Sequence, residues 1–206
     1  KLSVVSGAAL ALGYTYIQGN QISVVKLDDP ISPGLELNPY IFIDSSGKIT
    51  LFNHRPEMGQ GTFQSIPMIL AEELEVAIDK VEIIQAPADR KKYGDQMVVG
   101  SASIQRQFAP LCKIGAAARE MLVQAAANQW KVNASECYAE DAMVIHRTSG
   151  NKLSYAVLVE TAAKLEAPQN PTLKRSADFR IIGKSFPRRD IPVKINGQAK
   201  FGMDVH

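Results

Sequence analysis

The sequence predicts a mixed fold, α/β or α+β, and α+β is the expectation adopted. Three observations lead there. Short runs rich in β-branched and aromatic residues, such as Tyr40-Ile41-Phe42-Ile43, are bounded by Ser- and Gly-containing turns and read as strands. Two longer stretches carry apolar residues at helical spacing. The composition, 46% hydrophobic and 21% charged over 206 residues, is that of an ordinary globular protein with room for one substantial domain or one domain and part of another.

The first 37 residues read as a segment apart. Leu2 to Ile17 is apolar, small-residue-rich and uncharged, and Lys1 precedes it. Its length suits the hydrophobic part of an export signal and is short for a membrane span. Ser3, Ser6, Gly7 and Gly13 keep it only mildly hydrophobic, which is the character of a twin-arginine signal whose arginines would stand before Lys1. The expected localisation is therefore periplasmic or membrane-associated, with the cytoplasm as alternative. The plainer reading of the segment is a helix of the domain. Asp28-Asp29-Pro30 to Pro33-Gly34 reads as a linker.

Residues 38–166 hold the main body. Tyr40 to Ile43 is a strand, Ser45-Ser46-Gly47 a hairpin turn and Lys48 to Asn53 the return strand. Phe63 to Val76 is a helix through Ile66, Ile69, Leu70 and Leu74, and Val81 to Ala86 a short strand. Asp89 to Gln96 is a polar loop. Ile104 to Trp130 is a long Ala-rich helix with Pro110 near its start or at a kink. An acidic turn precedes a strand at Met143-Val144-Ile145, and Ser154 is expected to cap a helix from Tyr155 to Leu165. Residues 167–206 form a linker and an extended connector, punctuated by Pro187, Pro192, Gly197 and Gly202, with a strand starting near Ala199. No internal repeat is present.

Several function classes are set aside by composition. A formal charge of +2 with scattered basic residues gives no case for nucleic acid. The clusters Arg90-Lys91-Lys92 and Arg188-Arg189 read as solvated surface. Cys112 and Cys137 lack the spacing of a zinc or iron–sulfur site, and Cys112 reads as a small buried hydrophobe. His54, His146 and His206 are isolated from one another, so no metal site made by this chain alone is expected.

Two loops could hold a cofactor, each between a strand and a helix. In Met58-Gly59-Gln60-Gly61 the glycines permit positive φ and close approach of backbone to a ligand. Gln60 offers donors and an acceptor suited to a heterocycle edge, and the helix that follows has unpaired N–H groups suited to an anion. Gly100-Ser101-Ala102-Ser103 offers a small backbone loop with two hydroxyls ahead of the long helix. Either loop taken alone is more often plain turn chemistry or an N-cap than a site.

The segments in series say more. Asn38-Pro39-Tyr40-Ile41-Phe42-Ile43, Pro56-Glu57-Met58-Gly59-Gln60-Gly61 and Ala71-Glu72-Glu73-Leu74 together resemble the xanthine dehydrogenase/aldehyde oxidase family of molybdenum hydroxylases. The likeness is to the large subunit of isoquinoline 1-oxidoreductase-like enzymes. It continues through Gly100 to Ser103, Gly115-Ala116-Ala117-Ala118-Arg119-Glu120-Met121-Leu122, Phe179 to Lys184, Pro187 to Pro192 and Gly197. Relatives often carry a second glycine before Gly100, where this chain has Val99.

The resemblance implies molybdopterin cytosine dinucleotide as cofactor. It implies hydroxylation of an N-heterocycle or aldehyde with water as oxygen source. Electrons would leave through [2Fe-2S] clusters on a small partner subunit, and a cytochrome c is a possible acceptor. By motif, Met58, Gly59, Gln60, Gly61, Gly100, Ser101, Ala102 and Ser103 would contact the cofactor. Molybdenum is held by the pterin, so no protein metal ligand is implied.

The family's catalytic base is a glutamate in a Gly-Glu motif of a longer polypeptide, and no such motif occurs here. Glu57, Glu72 and Glu73 do not match it. No catalytic residue is therefore assigned. The chain is expected to depend on the C-terminal remainder of the large subunit, which would follow a hammerhead-like domain starting near residue 206. The alternatives are an inactive truncated fragment and a periplasmic binding or scaffold module.

Overall fold

The computed structural model describes residues 14–18, 21–25 and 34–204. Two short strands, β1 (Tyr14–Gln18) and β2 (Gln21–Val25), pair antiparallel from Tyr14↔Val25 to Gln18↔Gln21. The end of the apolar N-terminal run is thus strand where the plainer reading had helix. The rest of that run, and most of the expected linker, lie outside the described residues.

The central sheet has the order β3-β4-β5-β6, from Gly34–Asn38, Ile41–Asp44, Ile49–Asn53 and Val81–Gln85. β3 begins at the residue assigned to the end of the linker. β3, β4 and β5 run antiparallel, whereas β5 and β6 are parallel, in register from Ile49↔Val81 to Asn53↔Gln85. A parallel pair needs a crossover, and α1 (Thr62–Leu74) supplies it. The loop of residues 54–61 therefore leaves the C-terminal end of a parallel strand and enters a helix, the position at which open α/β sheets bind ligands.

A second helix, α2 (Arg90–Tyr93), occupies part of the expected polar loop. Asp89 caps it, accepting from the N–H groups of Lys91 and Lys92 at 3.0 and 3.1 Å. The long helix α3 (Ser103–Trp130) contains Pro110 as its eighth residue, inside the helix rather than in its first turn. α3 packs chiefly on α1 and then on α4 (Tyr155–Ala162). Ser154 precedes α4, but its side chain makes no capping bond.

A three-stranded antiparallel sheet, β7-β8-β9, follows α3 and is built from Cys137–Glu140, Met143–His146 and Lys152–Ser154. The acidic turn Asp141-Ala142 has two positive φ angles, 48° and 61°, as a two-residue hairpin with native twist requires. The tail is not wholly extended: Ile191–Ile195 forms the short helix α5. Ala199 is not in a strand; its N–H donates to Val193 O at 2.8 Å, and a 3-10 turn follows at Gly202–Asp204. Among the described residues no helix is long and apolar enough to cross a membrane.

The core lies between the central sheet, α1 and α3. Ile41, Leu51, Ile66, Leu70, Leu74, Leu111 and Leu122 are fully buried in it. The two helices approach closely at Gly115. A Cβ there would stand 2.8 Å from Glu73 Cβ and 3.0 Å from Leu70 O. Gly115→Ala is expected to force the helices apart and cost about 1–3 kcal/mol. A urea titration reads this directly, and an unchanged midpoint would show that the crossing relaxes freely.

Candidate functional site

The first candidate loop is rooted where β5 ends. Asn53 Nδ2 donates to Arg55 O at 2.5 Å and to Gln85 Oε1 at 2.8 Å, and Gln85 Nε2 donates back to Asn53 O at 3.0 Å. These bonds tie the ends of the two parallel strands together.

Past Pro56 the loop closes on one carboxylate. Glu57 Oε1 accepts from the N–H groups of Gly59 and Gly61 at 2.7 and 3.0 Å, and Oε2 from that of Phe63 at 2.8 Å. Gly59 and Gly61 have φ of +104° and +88°, which an L side chain rarely adopts. Burial pushes the Glu57 carboxyl up, but the three N–H donors and Arg188 outweigh it and hold its pKa below the ordinary value.

Gln60 turns its amide inward: Oε1 accepts from Met58 N–H at 2.6 Å, and Nε2 donates to Pro56 O at 2.7 Å and Thr62 Oγ1 at 3.0 Å. Two expectations change here. The Phe63 N–H in the first turn of α1, and the Gly59 and Gly61 N–H groups before it, are taken by Glu57 instead of being free for an anion. Gln60 braces the loop instead of presenting its whole amide outward.

In the second loop Gly100 and Ser101 both have positive φ, 62° and 55°. That conformation is unusual for the serine and marks a constrained backbone. Ala102, not a serine, is the N-cap of α3, and no side chain caps the helix. Met58, Gly59, Gln60, Gly100 and Ser101 are exposed, Gly61 and Ser103 are half-buried and Ala102 is buried. Where a Cβ would stand on Gly59 or Gly100, nothing lies within 4 Å.

Arg55 hangs the approach to the second loop from the root of the first. Its side chain is 2% exposed; Nη1 donates to Met97 O and pairs with Asp95 Oδ2 at 3.3 Å. Gln96 adds a bond to Pro87 O at 2.7 Å and one to His54 O at 3.3 Å. Among the described residues no hydrogen bond joins 58–61 directly to 100–103. The first loop opens instead on a cleft of about 870 Å³, lined by His54, Met58, Gly59 and Phe63 and, from the tail, by Asp190, Lys194 and Phe201.

His54 is fully buried, and neither ring nitrogen has a well-formed hydrogen bond. Tyr40 stands edge-on to it at 5.2 Å. Burial and then the Arg55 charge push its pKa down to about 4, with the Gln107 amide and Asp95 carboxylate opposing weakly. It is therefore a neutral imidazole at pH 7. Both cysteines are buried free thiols, and burial pushes Cys112 up to about 11, so neither is poised as a nucleophile.

Sequence reading missed Arg55, His54 and the part played by the tail. Arg188 and Arg189 are engaged and do not form the solvated surface expected of them. Arg188 donates to Gly59 O and pairs with Asp190, and Arg189 donates to Val81 O and Ile78 O. The one hint for Glu57 was its place two residues before Gly59 and four before Gly61.

Two backbone loops with left-handed residues, one of them at the end of a parallel strand, thus each lead into a helix. The chain belongs to the molybdopterin cofactor-binding domain family, which it matches over residues 13–203. It is 32% identical to the beta chain of isoquinoline 1-oxidoreductase from Brevundimonas diminuta, over 82% of this chain and 26% of that one. It is 32% identical to a nicotinate dehydrogenase subunit from Pseudomonas putida, over 88% of this chain and 15% of that one. It is 28% identical to a membrane-bound aldehyde dehydrogenase [pyrroloquinoline-quinone] from Gluconacetobacter polyoxogenes, over 97% of this chain and 26% of that one. The chain thus spans about a quarter or less of the length of these relatives.

Proposed function

We propose that this chain helps hold the molybdenum cofactor of a molybdenum hydroxylase large subunit, through Met58, Gly59, Gln60 and Gly61 and through Gly100, Ser101, Ala102 and Ser103. The observation that carries the reading is the family match across both loops, in which Gly59 and Gly100 have open space where a Cβ would stand. The residues fit such a group. Met58, Met97 and Val99 are exposed apolar side chains on or beside the loops, at 70%, 61% and 54%, and could cover a planar ring. Lys200 lines the cleft and suits phosphate, whereas the N–H groups bound to Glu57 are taken and Lys194 is paired with Asp190.

When bound, the cofactor supplies the redox centre at which oxygen from water is transferred to an N-heterocycle or aldehyde. The chain's own residues shape and hold; none of them is assigned a proton transfer. The same proposal includes the cytosine dinucleotide form, a cytochrome c acceptor, and the exit of electrons through [2Fe-2S] clusters on a small partner subunit. It includes a catalytic base from the remainder of the large subunit and twin-arginine export to the periplasm or membrane.

Metal analysis and mass spectrometry of the native assembly test the reading. Molybdenum and a pterin are expected; absence of both overturns it, and pyrroloquinoline quinone in their place would favour the cofactor named for the third relative. Gln60→Ala removes three bonds that brace the first loop. It is expected to weaken cofactor retention about tenfold, as the loss of roughly 1.4 kcal/mol of loop order implies. Full molybdenum content after dialysis of the variant would refute the role given to Gln60.

A further inference from the structure

Arg188 lies 129 residues from Gly59 in sequence and touches it in the fold. Its Nη1 donates to Gly59 O at 2.9 Å, and its Nη2 approaches Glu57 Oε1 at 3.5 Å. The other edge of the guanidinium faces Asp190, with Nε to Oδ1 at 2.9 Å and Nη2 to Oδ2 at 2.6 Å. Lys194 completes the row by pairing with Asp190. The charges alternate, Glu57, Arg188, Asp190, Lys194, and the two carboxylates are only 15% and 12% exposed. Both backbone polar groups of Gly59 are pinned, the N–H by Glu57 and the carbonyl by Arg188.

The tail is itself fastened next to this row. Gln64 Nε2 donates to Pro187 O at 3.1 Å, and Gln64 Oε1 accepts from Arg189 N–H at 3.0 Å. Arg189 reaches on to carbonyls before and at the start of β6. The loop is thus held between a fixed strand end and a fixed tail. A guanidinium suits this place because its planar fork serves Asp190 with two nitrogens and still leaves one for the Gly59 carbonyl; an ammonium cannot do both.

We infer that Arg188, oriented by Asp190, is a positioning residue for the cofactor loop, so that the tail sets the conformation in which Gly59 meets its ligand. This rests on the function proposed above, and it makes the tail part of the site rather than a connector leading away from it.

The test uses the native assembly with Arg188→Gln, Arg188→Lys and Asp190→Asn. Amide hydrogen exchange at Gly59 and Gly61 is read beside exchange at Leu70 and Leu122 in the core, with pterin content measured after dialysis. In Arg188→Gln, exchange at the two glycines is expected to rise at least tenfold while the core amides stay unchanged, and pterin content to fall. Asp190→Asn is expected to show a smaller effect of the same kind, and Arg188→Lys partial rescue. Unchanged glycine exchange, or a rise shared equally by the core, overturns the inference. A wild-type assembly without pterin overturns the proposed function instead, and the exchange result then decides the positioning role alone.

Discussion

Glu72→Ala is expected to destabilise the protein by about 3–5 kcal/mol, because one carboxylate holds the tail to the last turn of α1. Glu72 is 1% exposed. Its Oε2 accepts from the N–H groups of Ile181, Ile182 and Arg180 at 2.6, 2.9 and 3.0 Å, and its Oε1 from Lys174 Nζ at 2.5 Å. Removing it leaves the buried Ile181 N–H without its acceptor and Lys174, 9% exposed, with Glu75 alone. Burial pushes the carboxyl up, but Lys174 and the three N–H groups outweigh it and leave the pKa below the ordinary 4.5. The contribution is therefore present above pH 4.5 and is lost as pH falls below it. Urea denaturation of the variant at pH 7 measures the effect; a loss under about 1 kcal/mol would mean that the tail is held by its other contacts.

His54 gives the second large effect, with an opposite kind of cause. The ring is held neutral, with a folded pKa of about 4 against 6.5 when unfolded. Stability from this depressed base is complete above pH 6.5 and is lost as pH falls toward 4, where the unfolded chain takes up a proton that the fold refuses. The gap corresponds to about 3 kcal/mol over the window. Glu82 titrates in the same range with the opposite sign, since burial pushes its carboxyl up to about 7 while Lys48 stands 3.0 Å away as counter-ion. The difference between wild type and His54→Phe isolates the histidine. Between about pH 6.5 and 5 the wild type is expected to lose stability relative to the variant by about 2 kcal/mol. Parallel pH profiles would show that the ring is protonated in place.

Elements with a strong local pattern were legible in the sequence. α1 follows from Ile66, Ile69, Leu70 and Leu74, and β4 and β5 from apolar, β-branched runs around Ser45-Ser46-Gly47. β7 was missed because Cys-Tyr-Ala-Glu is short and half of it, Ala and Glu, favours strands poorly. The β1–β2 pair was missed because most of β1 was read as part of the apolar run Leu2 to Ile17, and β2 beyond it was given no element. The expected strand near Ala199 failed because a single bond to Val193 O folds that residue back on α5.

The site divides the same way. The resemblance carried by residue blocks in series marked Met58 to Gly61 and Gly100 to Ser103 as candidate cofactor contacts, and both loops lie within the span that matches the molybdopterin cofactor-binding domain. What only the tertiary structure decided is who holds the loops. Glu57 takes the N–H groups that seemed free, and Arg188, pinned by Asp190, takes the Gly59 carbonyl from 129 residues away. Glu72 collects N–H groups 108 to 110 residues distant. Helices and strands are encoded by periods of 3.6 and two residues, which a sequence displays. A charged side chain reads the same in sequence whether it ends in water or on a particular backbone atom, and only the packed fold makes that choice.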